Sequence, residues 1–239
     1  MAHKQVPFQS ASRERMVEVD LADRGIADPV VLDAFRAVAR EDFVPSGLAG
    51  FAYDDAPLPI GEGQTISQPY IVAVTVQALA LRGGERVLDV GTGSGYSAAV
   101  LSLIAGEVYT IERIASLAST AGERLARLGY HNVHVCCGDG SLGWPEHAPY
   151  DAIAVAAGSP AVPDALRSQL AIGGRLVIPV GADQHSQDLV RVTRVSETEY
   201  REHLIADVRF VPLIGAQGWT LTPRILDSMR DTLPSARAT

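Results

Sequence analysis

Cysteine is almost missing from this chain: there are two, Cys136 and Cys137, and they are neighbours. Adjacent cysteines cannot build a disulfide framework. On a strand, successive side chains leave on opposite faces, so even with His131 and His134 close in sequence they form no local four-ligand cluster. They read as small apolar residues, and no metal is expected. Basic residues are also scarce, 20 Lys and Arg against 28 Asp and Glu for a formal charge of -8, and none cluster. A phosphate backbone would find nothing to neutralise it, which disfavours nucleic acid as partner. No run of about 18 residues is free of polar interruption, and no apolar segment follows Met1, so neither a membrane span nor a secretory leader is expected. The chain reads as soluble and cytoplasmic. Repeats, low-complexity tracts and interdomain linkers are absent too, and 239 residues suit one large domain with an N-terminal extension.

What is present centres on residues 87–96, Val-Leu-Asp-Val-Gly-Thr-Gly-Ser-Gly-Tyr. A short apolar strand, a glycine turn and an amphipathic run over 96–104 follow one another. Such a turn leaves backbone N–H groups pointing into the crevice where open α/β sheets bind ligands. Upstream, helical spacing appears at 12–22 and 29–38, the second opened by Asp28 as N-cap and Pro29 as first helical residue. Residues 45–69, rich in proline and glycine, read as one long loop, and loops of that length in compact chains tend to be functional. A helix is expected over 70–81. Downstream, apolar runs at 86–90, 108–112, 133–137, 152–156 and 175–180 alternate with helical patterns at 96–104, 114–128 and 163–170. That alternation predicts a mostly parallel central sheet with helices on both faces. Runs at 189–195 and 204–211, joined by a charged stretch, read as an antiparallel pair completing it. The polar end carries a short helical pattern at 225–229 and a frayed tail. The chain thus divides into N-terminal helices and loop (1–82), a nucleotide-binding-like core (83–214) and a tail (215–239).

The turn reads Gly91-x-Gly93-x-Gly95, with Tyr96 where a dinucleotide fingerprint has its last glycine. That glycine permits close packing beside a pyrophosphate, so a tyrosine there disfavours NAD and FAD, and with them a nicotinamide-dependent oxidoreductase. S-adenosyl-L-methionine carries no phosphate and suits the turn better, along the backbone of Gly91, Gly93 and Ser94. Asp89 is placed for its ammonium, Glu112 at the end of the next strand for the ribose diol, and Asp139, with Gly140 behind it, for the adenine amine. Each acid also has a plainer reading: Asp89 as a cap of the turn, Glu112 as a solvated helix-entry acid, Asp139 as a turn residue. Similarly, Thr65 and Ser67 either face the turn or satisfy backbone groups where the helix begins at Pro69.

Residues 57–61 (Pro-Leu-Pro-Ile-Gly), 64–73 (Gln-Thr-Ile-Ser-Gln-Pro-Tyr-Ile-Val-Ala), the turn, 108–113 (Val-Tyr-Thr-Ile-Glu-Arg), 138–140 (Gly-Asp-Gly) and 208–213 (Val-Arg-Phe-Val-Pro-Leu) carry a resemblance. They are similar to the protein-L-isoaspartate (D-aspartate) O-methyltransferases, over roughly residues 12–214, and the Thr65-Ile66-Ser67-x-Pro69 motif is the most specific part. The resemblance implies a Rossmann-like class I methyltransferase fold, S-adenosyl-L-methionine as cofactor, and methyl esterification of the free carboxylate of L-isoaspartyl residues in damaged proteins and peptides. It implies Ser67 as the active-site residue, with Thr65 and Tyr70 beside the substrate. Relatives that modify an aspartate of one dedicated partner peptide, driving imide formation, are the alternative. The chain departs from the family's usual pattern at Val155-Ala156-Ala157-Gly158, at Val74 and at Ile214, with Gln217 a partial substitute for the last.

Overall fold

The computed structural model describes residues 8–183 and 186–220, so the helical pattern at 225–229 and the frayed tail lie outside the described residues. The chain enters through α1 (Phe8–Arg15), which continues as a π-helix over Met16–Leu21. Periodicity alone places an ordinary helix over 12–22. The wider winding has a packing reason: Met16 and Leu21 are both fully buried, and about 4.4 residues per turn brings positions i and i+5 onto one face. Next, α2 (Pro29–Ala37) starts as its sequence dictates, the Asp28 carboxylate accepting from the Val30 amide at 2.9 Å.

The stretch 45–69 is not one loop. It contains a two-stranded hairpin, β1 (Leu58–Gly61) and β2 (Gln64–Ile66), turned by Glu62 and Gly63 at φ 53° and 66°. Two consecutive left-handed residues make the tight turn that matches strand twist. Strands this short, one with Pro59 inside it, carry no legible alternation. After the hairpin come α3 (Pro69–Leu79), β3 (Arg86–Val90), α4 (Tyr96–Ser102), β4 (Glu107–Glu112), α5 (Ala115–Leu128) and β5 (Val133–Cys137). The chain closes with β6 (Tyr150–Val155), α6 (Asp164–Ser168), β7 (Leu170–Val180), β8 (Gln187–Arg194) and β9 (Tyr200–Val208).

β3 to β9 form one seven-stranded sheet in the order β5-β4-β3-β6-β7-β8-β9, parallel as far as β7 and antiparallel from there to β9. The expected mostly parallel, Rossmann-like sheet is therefore present, finished by the expected antiparallel pair. β9 begins earlier than its apolar run suggests. Ser196 Oγ accepts from the Glu199 amide at 3.1 Å and closes the turn there, and the charged residues 201–203 then lie exposed on the sheet's last strand. Successive residues of β3 feed two cores: Val87 belongs to the one that holds Phe35, Leu79 and Leu101, Leu88 to the one that holds Ile153, Leu166 and Leu176. No helix among the described residues is long and apolar enough to cross a membrane.

Candidate active site

Strand order reverses at β3, which has β4 on one side and β6 on the other. The crevice outside the carboxyl ends of these strands is where such sheets bind ligands. A cleft lies there, walled by the glycine turn, the ends of β4 and β6, the segment 64–67 and residues 210–214. Its geometry needs the glycines. Gly93 has φ 53°, and a Cβ on it would come 3.3 Å from Ile60 of the hairpin. Gly95 has φ 91° and packs 3.2 Å from Leu125 of α5 by the same measure. Tyr96 turns its ring into the N-terminal core, edge-on to Phe35 and Phe43. That is the physical reason a large side chain is tolerated where a pyrophosphate site would need none.

Asp89 is completely buried. Its carboxylate accepts from Thr110 Oγ1 at 2.8 Å and Ser97 Oγ at 3.2 Å, and Thr92 Oγ1 lies 2.6 Å from Thr110 Oγ1. No cation among the described residues lies against it. Burial pushes its pKa up to about 6, against the downward pull of the two hydroxyl donors. Glu112 is also buried, its two oxygens accepting from the Gly93 amide and the Ile114 amide, each at 3.0 Å. One carboxylate thereby braces the glycine turn against the start of α5. Asp89, Gly91, Gly93, Ser94, Glu112 and Gly140 all line the cleft.

Asp139 does not line it. One of its oxygens accepts from the amide and hydroxyl of Ser141 at 2.9 and 2.7 Å, and the other from the Ala216 amide at 2.7 Å. It caps a 3-10 turn and ties down the segment that follows β9. The same segment is held by Gln217, whose amide donates to Ser141 Oγ at 3.0 Å and whose side-chain oxygen accepts from the Ala165 amide at 2.9 Å. Trp219 Nε1 donates to the Gly158 carbonyl at 3.1 Å. These bonds set Val211 to Ile214 as the cleft's apolar wall.

On the opposite side stand Thr65, Ile66 and Ser67. Among the described residues the Ser67 hydroxyl makes no hydrogen bond. The start of α3 is satisfied without it, because Asp55 accepts from the Tyr70 amide at 3.0 Å and from Gln68 Nε2 at 2.7 Å. Tyr70 points away from the cleft; its ring lies beneath the Arg24 guanidinium at 3.6 Å and its hydroxyl donates to the Arg24 carbonyl. Sequence reasoning overlooked Asp55, Arg40 and the hydroxyl pair Thr92 and Thr110. Thr110 alone was signalled, since it alternates with Glu112 toward the same side of β4.

The family model for protein-L-isoaspartate(D-aspartate) O-methyltransferase matches residues 11–218. A protein-L-isoaspartate O-methyltransferase 1 of Rhodopseudomonas palustris (strain HaA2) is 63% identical over 210 residues, spanning 88% of this chain and 86% of the relative. One of Geotalea uraniireducens (strain Rf4) is 61% identical over 207 residues, 87% of this chain and 94% of its own. Among solved structures, a protein-L-isoaspartate O-methyltransferase superposes with TM-score 0.78 at 30% identity over 86% of this chain and 67% of that one. A Plasmodium falciparum structure described as a protein-L-isoaspartate O-methyltransferase beta-aspartate methyltransferase, in complex with S-adenosyl-L-homocysteine, gives 0.72 at 26% identity over 84% of this chain and 98% of that one.

Proposed function

The chain belongs to the protein-L-isoaspartate(D-aspartate) O-methyltransferase family, and we propose that it esterifies the free carboxylate of L-isoaspartyl residues in damaged proteins and peptides with a methyl group from S-adenosyl-L-methionine. The observation that carries this reading is the unbonded Ser67 hydroxyl, set across one cleft from a glycine turn and two buried acids. The cleft suits an adenosylated amino acid. Asp89 is a buried carboxylate with donors but, among the described residues, no cation, an environment an ammonium completes. Glu112 ends β4 where an acid meets a ribose diol, and Gly91, Gly93, Ser94 and Gly140 leave backbone in contact with the ligand.

When bound, S-adenosyl-L-methionine supplies an electrophilic methyl group on a sulfonium. The acceptor is a carboxylate with an ordinary pKa of about 4, already ionised at neutral pH, so no general base is required. Ser67 donates a hydrogen bond to one acceptor oxygen and holds the carboxylate in register; the apolar wall at 211–214 keeps water out. Once esterified, the carboxyl group has a better leaving group, and the adjoining backbone nitrogen displaces methanol to give a succinimide. Hydrolysis of that ring returns part of the material as normal aspartate. We place the enzyme in the cytoplasm, where free thiols such as Cys136 and Cys137 persist.

The deciding assay offers labelled S-adenosyl-L-methionine with an isoaspartyl hexapeptide or its aspartyl twin. Label on the isoaspartyl peptide alone is expected. Label on neither, with S-adenosyl-L-homocysteine still bound, would reject generic repair in favour of one dedicated peptide.

Asp89 adds a pH signature. Only its ionised form pairs with an ammonium, so below about pH 6 binding must first release the proton that burial holds on this carboxyl. Affinity for S-adenosyl-L-homocysteine is expected to rise by up to about tenfold per unit from roughly pH 5 to 6 and to level off above about 7. Calorimetry at constant ionic strength measures it. Asp89→Asn should flatten the profile, and a slope unchanged in that variant would assign the titration elsewhere.

A further inference from the structure

Among the described residues the Ser67 hydroxyl has no partner to orient it, so its place depends on its backbone. Two charged side chains hold the segment that carries it, Arg40 at the Ser67 carbonyl itself and Asp55 at the first turn of the helix that follows. Arg40, in the 3-10 turn Arg40–Phe43, is fully buried. Its Nη1 donates to the Ser67 carbonyl at 2.9 Å, its Nε to the Ala52 carbonyl at 2.6 Å and its Nη2 to the Ala56 carbonyl at 3.3 Å. Among the described residues no carboxylate pairs with it. Burying a cation without a paired carboxylate is costly, and the planar fork reaches three carbonyls from fixed directions. The same guanidinium sits 5.1 Å over the ring of Tyr96, the first residue of α4. It therefore touches both the acceptor loop and the element that follows the glycine turn.

Asp55 holds the other flank. It accepts from Gln68 Nε2 at 2.7 Å and the Tyr70 amide at 3.0 Å, and is itself paired with Arg24. Ser67 is thus held at its carbonyl by a cation, while an anion holds the side chain of Gln68 and, three residues on, the backbone amide of Tyr70.

We propose that Arg40 and Asp55 are positioning residues for methyl transfer, a clamp that sets the Ser67 hydroxyl opposite the glycine turn. A displacement of about 1 Å in a positioning group costs on the order of a hundredfold in rate. The clamp's hydrogen bonds fall on the acceptor loop, so its loss is expected to lower kcat far more than cofactor affinity. This inference rests on the proposed reaction with isoaspartyl peptides.

The test compares full-length wild type, Arg40→Lys, Asp55→Asn and Ser67→Ala, with kcat and KM for the isoaspartyl hexapeptide and calorimetric affinity for S-adenosyl-L-homocysteine. Rates are normalised to the sites that bind S-adenosyl-L-homocysteine, so a partly unfolded sample does not mimic the effect. Arg40→Lys keeps the charge and loses the fork; its kcat per competent site is expected to fall by about 10- to 100-fold with affinity within about twofold. Asp55→Asn, outside the buried core, should fall in the same direction and decides the matter by itself if Arg40→Lys does not fold. Full kcat per competent site in the folded variants would overturn the clamp. No turnover by wild type would instead reject the reaction it rests on.

Discussion

Glu112→Ala is expected to weaken S-adenosyl-L-homocysteine binding by about a hundredfold or more, because hydrogen bonds to a charged group contribute about 1.5–3 kcal/mol each and a ribose diol offers two. The loss has a second source within the protein. Without the carboxylate, the amides of Gly93 and Ile114 lose their acceptor, and the brace between the glycine turn and α5 is gone. Glu112→Gln separates the two contributions. It retains one acceptor oxygen and presents an NH2 where the second stood, facing either a backbone N–H or a ribose hydroxyl, so an intermediate loss is expected. Calorimetry on the three proteins, with thermal unfolding alongside, reads both. Affinity within about threefold of wild type in both variants would reduce Glu112 to a local brace and remove the ribose from its role.

That Asp89 and Glu112 line one cleft was legible in the sequence because each is a carboxylate in the last residues of an apolar strand, and a parallel sheet brings successive strand ends to one crevice. Asp139 sits at an equivalent position, and its oxygens accept from Ser141 and Ala216. The turn it opens, and a segment 77 residues further on, decide where that carboxylate points. Spacing cannot register such a partner. The same holds for Arg40, whose contact with Ser67 spans 27 residues and whose burial contradicts what an arginine leads one to expect. The hairpin over 58–66 was hidden for a local reason: strands of four and three residues are too short for alternation, and the turn uses a glutamate at φ 53°. The βα core, by contrast, repeats its signal at every strand. Local rules were sufficient wherever an element buries its own pattern, and failed where one polar side chain joins distant segments.

Ser67→Ala is expected to lower kcat for isoaspartyl peptide by about 10- to 100-fold, the value of one hydrogen bond to a carboxylate, while S-adenosyl-L-homocysteine binds as before. The split follows from the geometry. Asp55 already serves the first turn of α3, so removing the hydroxyl orphans no backbone group and leaves the helix start intact. Stability is accordingly expected to change little, since the residue is partly exposed and loses one atom that bonds nothing among the described residues. Ser67→Thr keeps the donor but adds a methyl group at a stiff β-branched position, and should recover part of the rate if the donor is what matters. The opposite pattern, a drop in melting temperature with kcat per folded molecule preserved, would make the hydroxyl a structural cap of α3 and leave the acceptor carboxylate to be oriented by Thr65 alone.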